Sequence, residues 1–224
     1  MKMKFGALVV DGRGKIGGHV ASRNRSGAYL RTKVTPVNPA TLYQVAARAL
    51  LTSLSQGWRA LTQAQRTAWD AAVSDFAGTD IFGDLKNPTG KNLYTRLNAN
   101  LRNAGQSLIS SPPVPSGAEL ALAGALVITN GGAKTVAYTG ATAASTVQVW
   151  ATAGQSPGKK FVKSEYRLVT IFTGGDPSPV DIATEYEARF GEPAVGSKVF
   201  VQLRCVNNDT GETGQATETS TIVV

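Results

Sequence analysis

The chain has 224 residues, 42% of them hydrophobic and 17% charged, with a formal net charge of +8. This composition supplies a core and excludes an intrinsically disordered protein, and the longest apolar run is far short of the ~20 residues that span a bilayer. With one cysteine, Cys205, and one histidine, His19, an internal disulfide and a conventional structural zinc site are excluded as well.

The charge is concentrated near the N-terminus. Residues 1–33 carry a net of +7, residues 34–111 a net of +3 and residues 112–224 a net of −2. An acidic partner would therefore meet the first segment. The opening "MKMKFGALVVDGRGK" sets lysines before an apolar stretch, as a signal peptide does. That stretch is too short, and Asp11, Arg13 and Lys15 follow with no small-residue cleavage site, so no targeting segment is expected.

Residues 1–37 read as a basic, glycine-rich arm of β-hairpins or extended chain. "FGALVV" is a short strand, "DGRG" a tight turn, and "KIGGHVAS" and "AYLRTKV" are two further strands joined by "RNRSG". "GRGKIG" fits the glycine pattern of a dinucleotide site. Such a site also needs a helix opening within the motif and an acidic residue about 20 positions on. "GGHVASRNRSG" lacks a helical period, and "LRTKVTPVNPA" contains no acid. A phosphate-binding P-loop fails too, because Ile16 follows Lys15. The glycines are therefore assigned to turns, and no cofactor is expected.

The candidate partner-binding residues are Lys2, Lys4, Arg13, Lys15, Arg23, Arg25, Arg31 and Lys33, with Tyr29 among them. They could contact nucleic-acid phosphates or clamp an acidic protein surface. Tyr29 is the only aromatic interleaved with them after Phe5, so no base-stacking platform is present. An extended segment unable to fold alone favours the protein clamp, with nucleic acid as the alternative.

Residues 38–106 read as helical. Asn38 and Pro39 suit an N-cap and first helical position, and Leu42, Val45, Ala46, Ala49, Leu50 and Leu54 recur on one helical face. Thr62 and Gln65 form a capping box opening a second helix, whose apolar face is Ala68, Trp69, Ala72, Val73 and Phe76. After the loop "AGTDIFGDLKNPTG", Leu93, Leu97 and Leu101 mark a third helix closed by Gly105. Trp58 and Trp69 are expected in the core. Residues 107–116 contain Pro112, Pro113 and Pro115 and read as a linker.

Residues 117–224 change character. "ALVITN", "KTVAYTG", "STVQVWAT", "YRLVTIFT", "EYEARF", "KVFVQLRCVN" and "TETSTIVV" are seven strand-like runs separated by turn signals, the pattern of a β-sandwich. Alternation along the sixth run buries Cys205 beside Val199, Val201 and Leu203, as a small hydrophobe and not a nucleophile. Asp181, Glu185 and Glu187 read as a solvated strand face, and no catalytic constellation is present. "QSPGKKFVK" offers Lys159, Lys160 and Lys163 as a second contact candidate.

The "PPVP" approach, the seven runs and the closing "VNNDTGETG" and "ETSTIVV" resemble a fibronectin type III or related immunoglobulin-like domain. Further upstream, Gly14–Gly17, Gly27 with Arg31, and Pro36 to Gln44 with Arg48 precede "WRALTQAQRTAW" and "TGKNLYTRLNANL". This series resembles small virion-associated proteins of tailed bacteriophages. The expected fold is then a multidomain α+β chain: an extended β-hairpin arm, a short helical segment, and an all-β immunoglobulin-like sandwich. The resemblance implies a non-enzymatic structural part of a capsid, neck or tail, made in the host cytoplasm and located in the virion. Its implied partners are other virion proteins, as a homo-oligomer, ring or capsid lattice, with no membrane contact. An adhesion or glycan-binding role would rest on fold analogy alone.

Overall fold

The computed structural model describes residues 12–24, 27–79 and 85–224. The readings placed on "FGALVV", Asp11, Lys2, Lys4 and Arg25 lie outside these residues. The chain is a mixed α+β protein, mostly β, with four α-helices and several antiparallel sheets among the described residues. It divides into two compact units, Met1–Val45 and Ala46–Val224.

In the first unit, β1 (Gly14–Ile16), β2 (His19–Asn24) and β3 (Gly27–Thr32) form an antiparallel sheet in that order. "KIGGHVAS" is thus two strands, not one. Ile16 pairs with His19 across Gly17 and Gly18, and Gly17 takes a φ of 55°. That left-handed conformation at the head of a two-residue turn is where glycine carries no side-chain penalty, so the pair folds the strand back on itself.

The helical region begins with α1 (Leu42–Ala60). Its cap is Thr41 and not Asn38: the Gln44 N–H donates to Thr41 Oγ1 at 3.4 Å, and the Val45 N–H donates to the Thr41 carbonyl at 2.9 Å. α2 (Gln63–Ala71) opens with the expected capping box, Thr62 and Gln65 bonding each other's backbone N–H. A 3₁₀ turn, Ala72–Phe76, continues it. β4 (Gly78–Thr79) and β5 (Leu85–Lys86) pair before α3 (Gly90–Asn103). Gly105, at φ 73°, closes α3, with the Gln106 N–H donating to the Leu101 carbonyl. Trp69, Phe76, Leu93, Tyr94 and Leu97 form the buried cluster, with Trp58 and Leu61 packed against it.

The rest of the second unit contains β6 (Leu122–Ile128), β7 (Lys134–Thr139), β8 (Ser145–Ala151), β9 (Arg167–Thr173), β10 (Val180–Asp181), β11 (Lys198–Asn207) and β12 (Thr217–Ile222). One sheet has the order β10-β7-β6 and another β12-β11-β8-β9, all antiparallel. Ile128, Val136 and Tyr138 of the first share one core with Val147, Val149, Val201, Leu203 and Cys205 of the second.

"EYEARF" is not a strand. It belongs to α4 (Ala183–Phe190), so Glu185 and Glu187 are helical and only Asp181 lies on a strand. Ile182, Tyr186 and Phe190 recur every four residues, which overrides the short alternation, and Tyr186 is buried with its hydroxyl donating to the Thr152 carbonyl.

The proline-rich stretch is fastened at both ends. Trp69 Nε1 donates to the Ser110 carbonyl at 2.9 Å, and the buried Asn98 side chain bonds both the N–H and the carbonyl of Ile109. At the other end the Ser116 and Gly117 N–H groups both donate to Glu212 Oε2 at 2.9 Å. α3 also touches the β11–β12 loop directly, where Asn100 Nδ2 donates to the Gly211 carbonyl at 2.9 Å. No helix among the described residues is long and apolar enough to cross a membrane.

Candidate partner interface

Strand register sorts the basic residues of the first unit into two sets. Lys15 pairs with Val20 and Val20 with Arg31, so the two cations share one face of the sheet. Tyr29, two residues before Arg31 and opposite Ser22, lies on that face too. Arg23 falls on the other face, with Ile16, Ala21 and Leu30. Arg13 and Lys33 flank the sheet, the Lys33 N–H donating to the Gly18 carbonyl at 2.8 Å. The sheet therefore brings Lys15, Tyr29 and Arg31 together and separates Arg23 from them.

Neither face is closed. Among the described residues from 12 to 53, Ala21 is the one buried side chain. Ile16, Val34, Val37, Leu42, Val45 and Leu51 are exposed. A three-stranded sheet needs an apolar face covered by something to persist in water.

α1 shows the same property on its own. Leu54 is buried, and Gly57 lets the helix close on α3, where a Cβ would stand 2.6 Å from Tyr94 Oη. Towards the N-terminus the apolar stripe continues exposed: Leu42 is 86% and Val45 49% exposed. The face read from periodicity as core, Leu42 to Leu54, is buried at Leu54 and half-buried at Leu50. Periodicity identifies an amphipathic helix correctly but does not say whether its apolar side finds a partner within the chain.

The charge around these surfaces has one sign. From Gly12 to Trp69 the sequence holds nine lysines and arginines and no aspartate or glutamate. A run of this kind is complementary to an acidic surface.

The second candidate set divides. Lys159 is neutralised, its Nζ 2.7 Å from Glu165 Oε1 and 2.9 Å from Gln155 Oε1. Lys160 and Lys163 are exposed, and Lys163 stands on the wall of a cleft over the outer face of the four-stranded sheet. His19 lies on β2, exposed, and the described residues contain no group of three or more His, Cys, Asp or Glu side chains able to hold a metal. Burial raises the Cys205 thiol above its ordinary value, which keeps it protonated in the core. No family model matches the chain, and no curated protein or solved structure does.

Proposed function

We propose that this chain is a non-enzymatic structural component of a tailed-bacteriophage particle. It would be held to neighbouring subunits through residues 12–53, with an immunoglobulin-like C-terminal sandwich that projects from or bridges the assembly. The observation that carries the reading is the single buried side chain, Ala21, in a stretch that nonetheless forms strands and an amphipathic helix. Ordered elements that bury so little of themselves have their stabilising contacts elsewhere. The motif series from Gly14 to Leu101 supports the virion assignment by resemblance. The strand orders β10-β7-β6 and β12-β11-β8-β9 around one core support the sandwich.

The test is the mass in solution, by light scattering, of the full chain and of a version lacking residues 1–33, after nuclease treatment and at low and high salt. Discrete oligomers of the full chain and a monomeric truncation are the expected result. Two monomers would sink the reading.

The second reading is nucleic-acid binding, and the nine cations without an acid between Gly12 and Trp69 favour it. It takes first place if both proteins are monomeric and the untreated full chain carries nucleic acid that salt removes.

A further inference from the structure

A cleft of about 360 Å³ opens on the outer side of the four-stranded sheet, within the roughly 300–1,000 Å³ range of small-molecule sites. Its floor is a row across three neighbouring strands: Trp150 of β8 stands opposite Gln202 of β11, and Gln202 opposite Glu218 of β12. Arg204, two residues beyond Gln202, points to the same side. Packing fixes this direction, because the alternating positions Val149, Val201 and Leu203 are fully buried in the core. Lys163 and Tyr166, from the segment between β8 and β9, form the wall.

The polar groups of the cleft are unevenly satisfied. Trp150 Nε1 donates to Gln148 Oε1 at 3.2 Å, which pins the indole, and Gln202 Nε2 donates to Glu218 Oε1 at 2.9 Å. The half-buried Arg204 guanidinium and the Lys163 ammonium have no hydrogen-bond or ion-pair partner among the described residues. Tyr166 Oη is buried next to the Glu218 carboxylate, without a hydrogen bond of good geometry to it. Burial, with the Glu218 carboxylate beside it, holds the Tyr166 phenol above the ordinary tyrosine value, so it remains a proton donor.

We propose that this cleft binds a carboxylate-bearing sugar unit of the uronate type. The idle Arg204 fork and Lys163 match a carboxylate. The flat apolar surface of Trp150 suits the C–H face of a pyranose. Glu218 and Gln202 accept from ring hydroxyls, and Tyr166 Oη donates to one. An acidic peptide side chain would engage the cations but bring no hydroxyl for Glu218 to accept from, so a polyhydroxylated acid fits the donor and acceptor set better. The site is built from residues between Trp150 and Glu218 and stands or falls independently of what residues 12–53 bind.

The test uses the ¹⁵N-labelled full chain, whose three tryptophans give three indole N–H signals, with Trp150→Phe assigning one of them. Sodium glucuronate, glucose and sodium acetate are titrated in turn at constant ionic strength. The Trp150 signal is expected to move saturably with glucuronate in the millimolar range, at least tenfold more weakly with glucose, and without saturation in acetate. Arg204→Gln weakens the glucuronate response at least tenfold, while unmoved Trp58 and Trp69 signals report an intact fold. No saturable movement overturns the proposal. So does an equal response to glucose or acetate, or one that Arg204→Gln leaves unchanged.

Discussion

Lys134 Nζ donates to Glu187 Oε1 at 2.6 Å, although the lysine side chain has no exposure and the glutamate keeps 44% of its own. Glu192 Oε1, just beyond α4, lies 3.1 Å from the same nitrogen. One buried cation thus ties β7 to the end of α4 and the loop after it.

Burial alone would lower the Lys134 pKa, but Glu187 and Glu192 more than reverse this, and the net direction is upward. A raised lysine contributes stability that is complete below its unfolded value and is lost as pH climbs through its folded one. Thermal stability should therefore fall in strongly alkaline solution, and less so in Lys134→Met. The Glu187→Gln/Glu192→Gln double variant should be the more damaging change at neutral pH. It leaves the buried ammonium uncompensated, whereas Lys134→Met leaves two carboxylates in water. Because those carboxylates are part-solvated, the cost by urea denaturation is expected to be smaller than that of breaking a fully enclosed pair.

Gly211 holds the contact between α3 and the β11–β12 loop. Its φ is 72°, and a Cβ there would run into the Leu97 carbonyl oxygen and come within 3.0 Å of Leu101 Cγ. Gly211→Ala should cost about 2 kcal/mol or more, from left-handed strain plus the clash. Asn100→Ala, which only removes the bond to the Gly211 carbonyl, should cost about 1 kcal/mol. Thermal melting of the two variants gives the order.

Glu119 supplies an acid-sensitive tie. Its carboxylate accepts from Thr142 Oγ1 at 2.6 Å, the Thr142 N–H at 2.7 Å and Ser145 Oγ at 2.7 Å. The Thr142 side chain first, then its N–H and Ser145, hold the Glu119 pKa below the ordinary glutamate value. A lowered carboxylate contributes stability present above the unfolded value and lost as pH falls through the folded one. The melting-temperature gap between the native chain and Glu119→Gln should therefore be open at neutral pH and narrow as pH falls below the ordinary glutamate range. A gap independent of pH would rule this account out.

Strand runs with clean alternation were legible in the sequence. "KVFVQLRCVN" is β11 from end to end, with Cys205 buried where the pattern puts it. The Thr62–Gln65 box and the Gly105 stop were legible because capping chemistry is local. "EYEARF" misled because six residues fit both periods, and Ile182, which decides between them, lies outside the run. Lys15, Tyr29 and Arg31 could be named but not placed on one face without the strand register. The cleft was invisible, since Trp150, Gln202 and Glu218 meet only through the pairing of three strands distant in sequence.

The fastening of the proline-rich stretch has a mechanical consequence. Between Ser110, held by Trp69, and Ser116, held by Glu212, the span without such bonds is five residues, three of them proline. A short polyproline-rich span resists bending and extension. With Asn100 gripping the Gly211 carbonyl beside it, a force applied to the C-terminal strands reaches α3 as through a strut braced at two points, not a slack tether. Whatever seats the helices thereby also sets the bearing at which the strands are presented, and a torque on one is felt by the other.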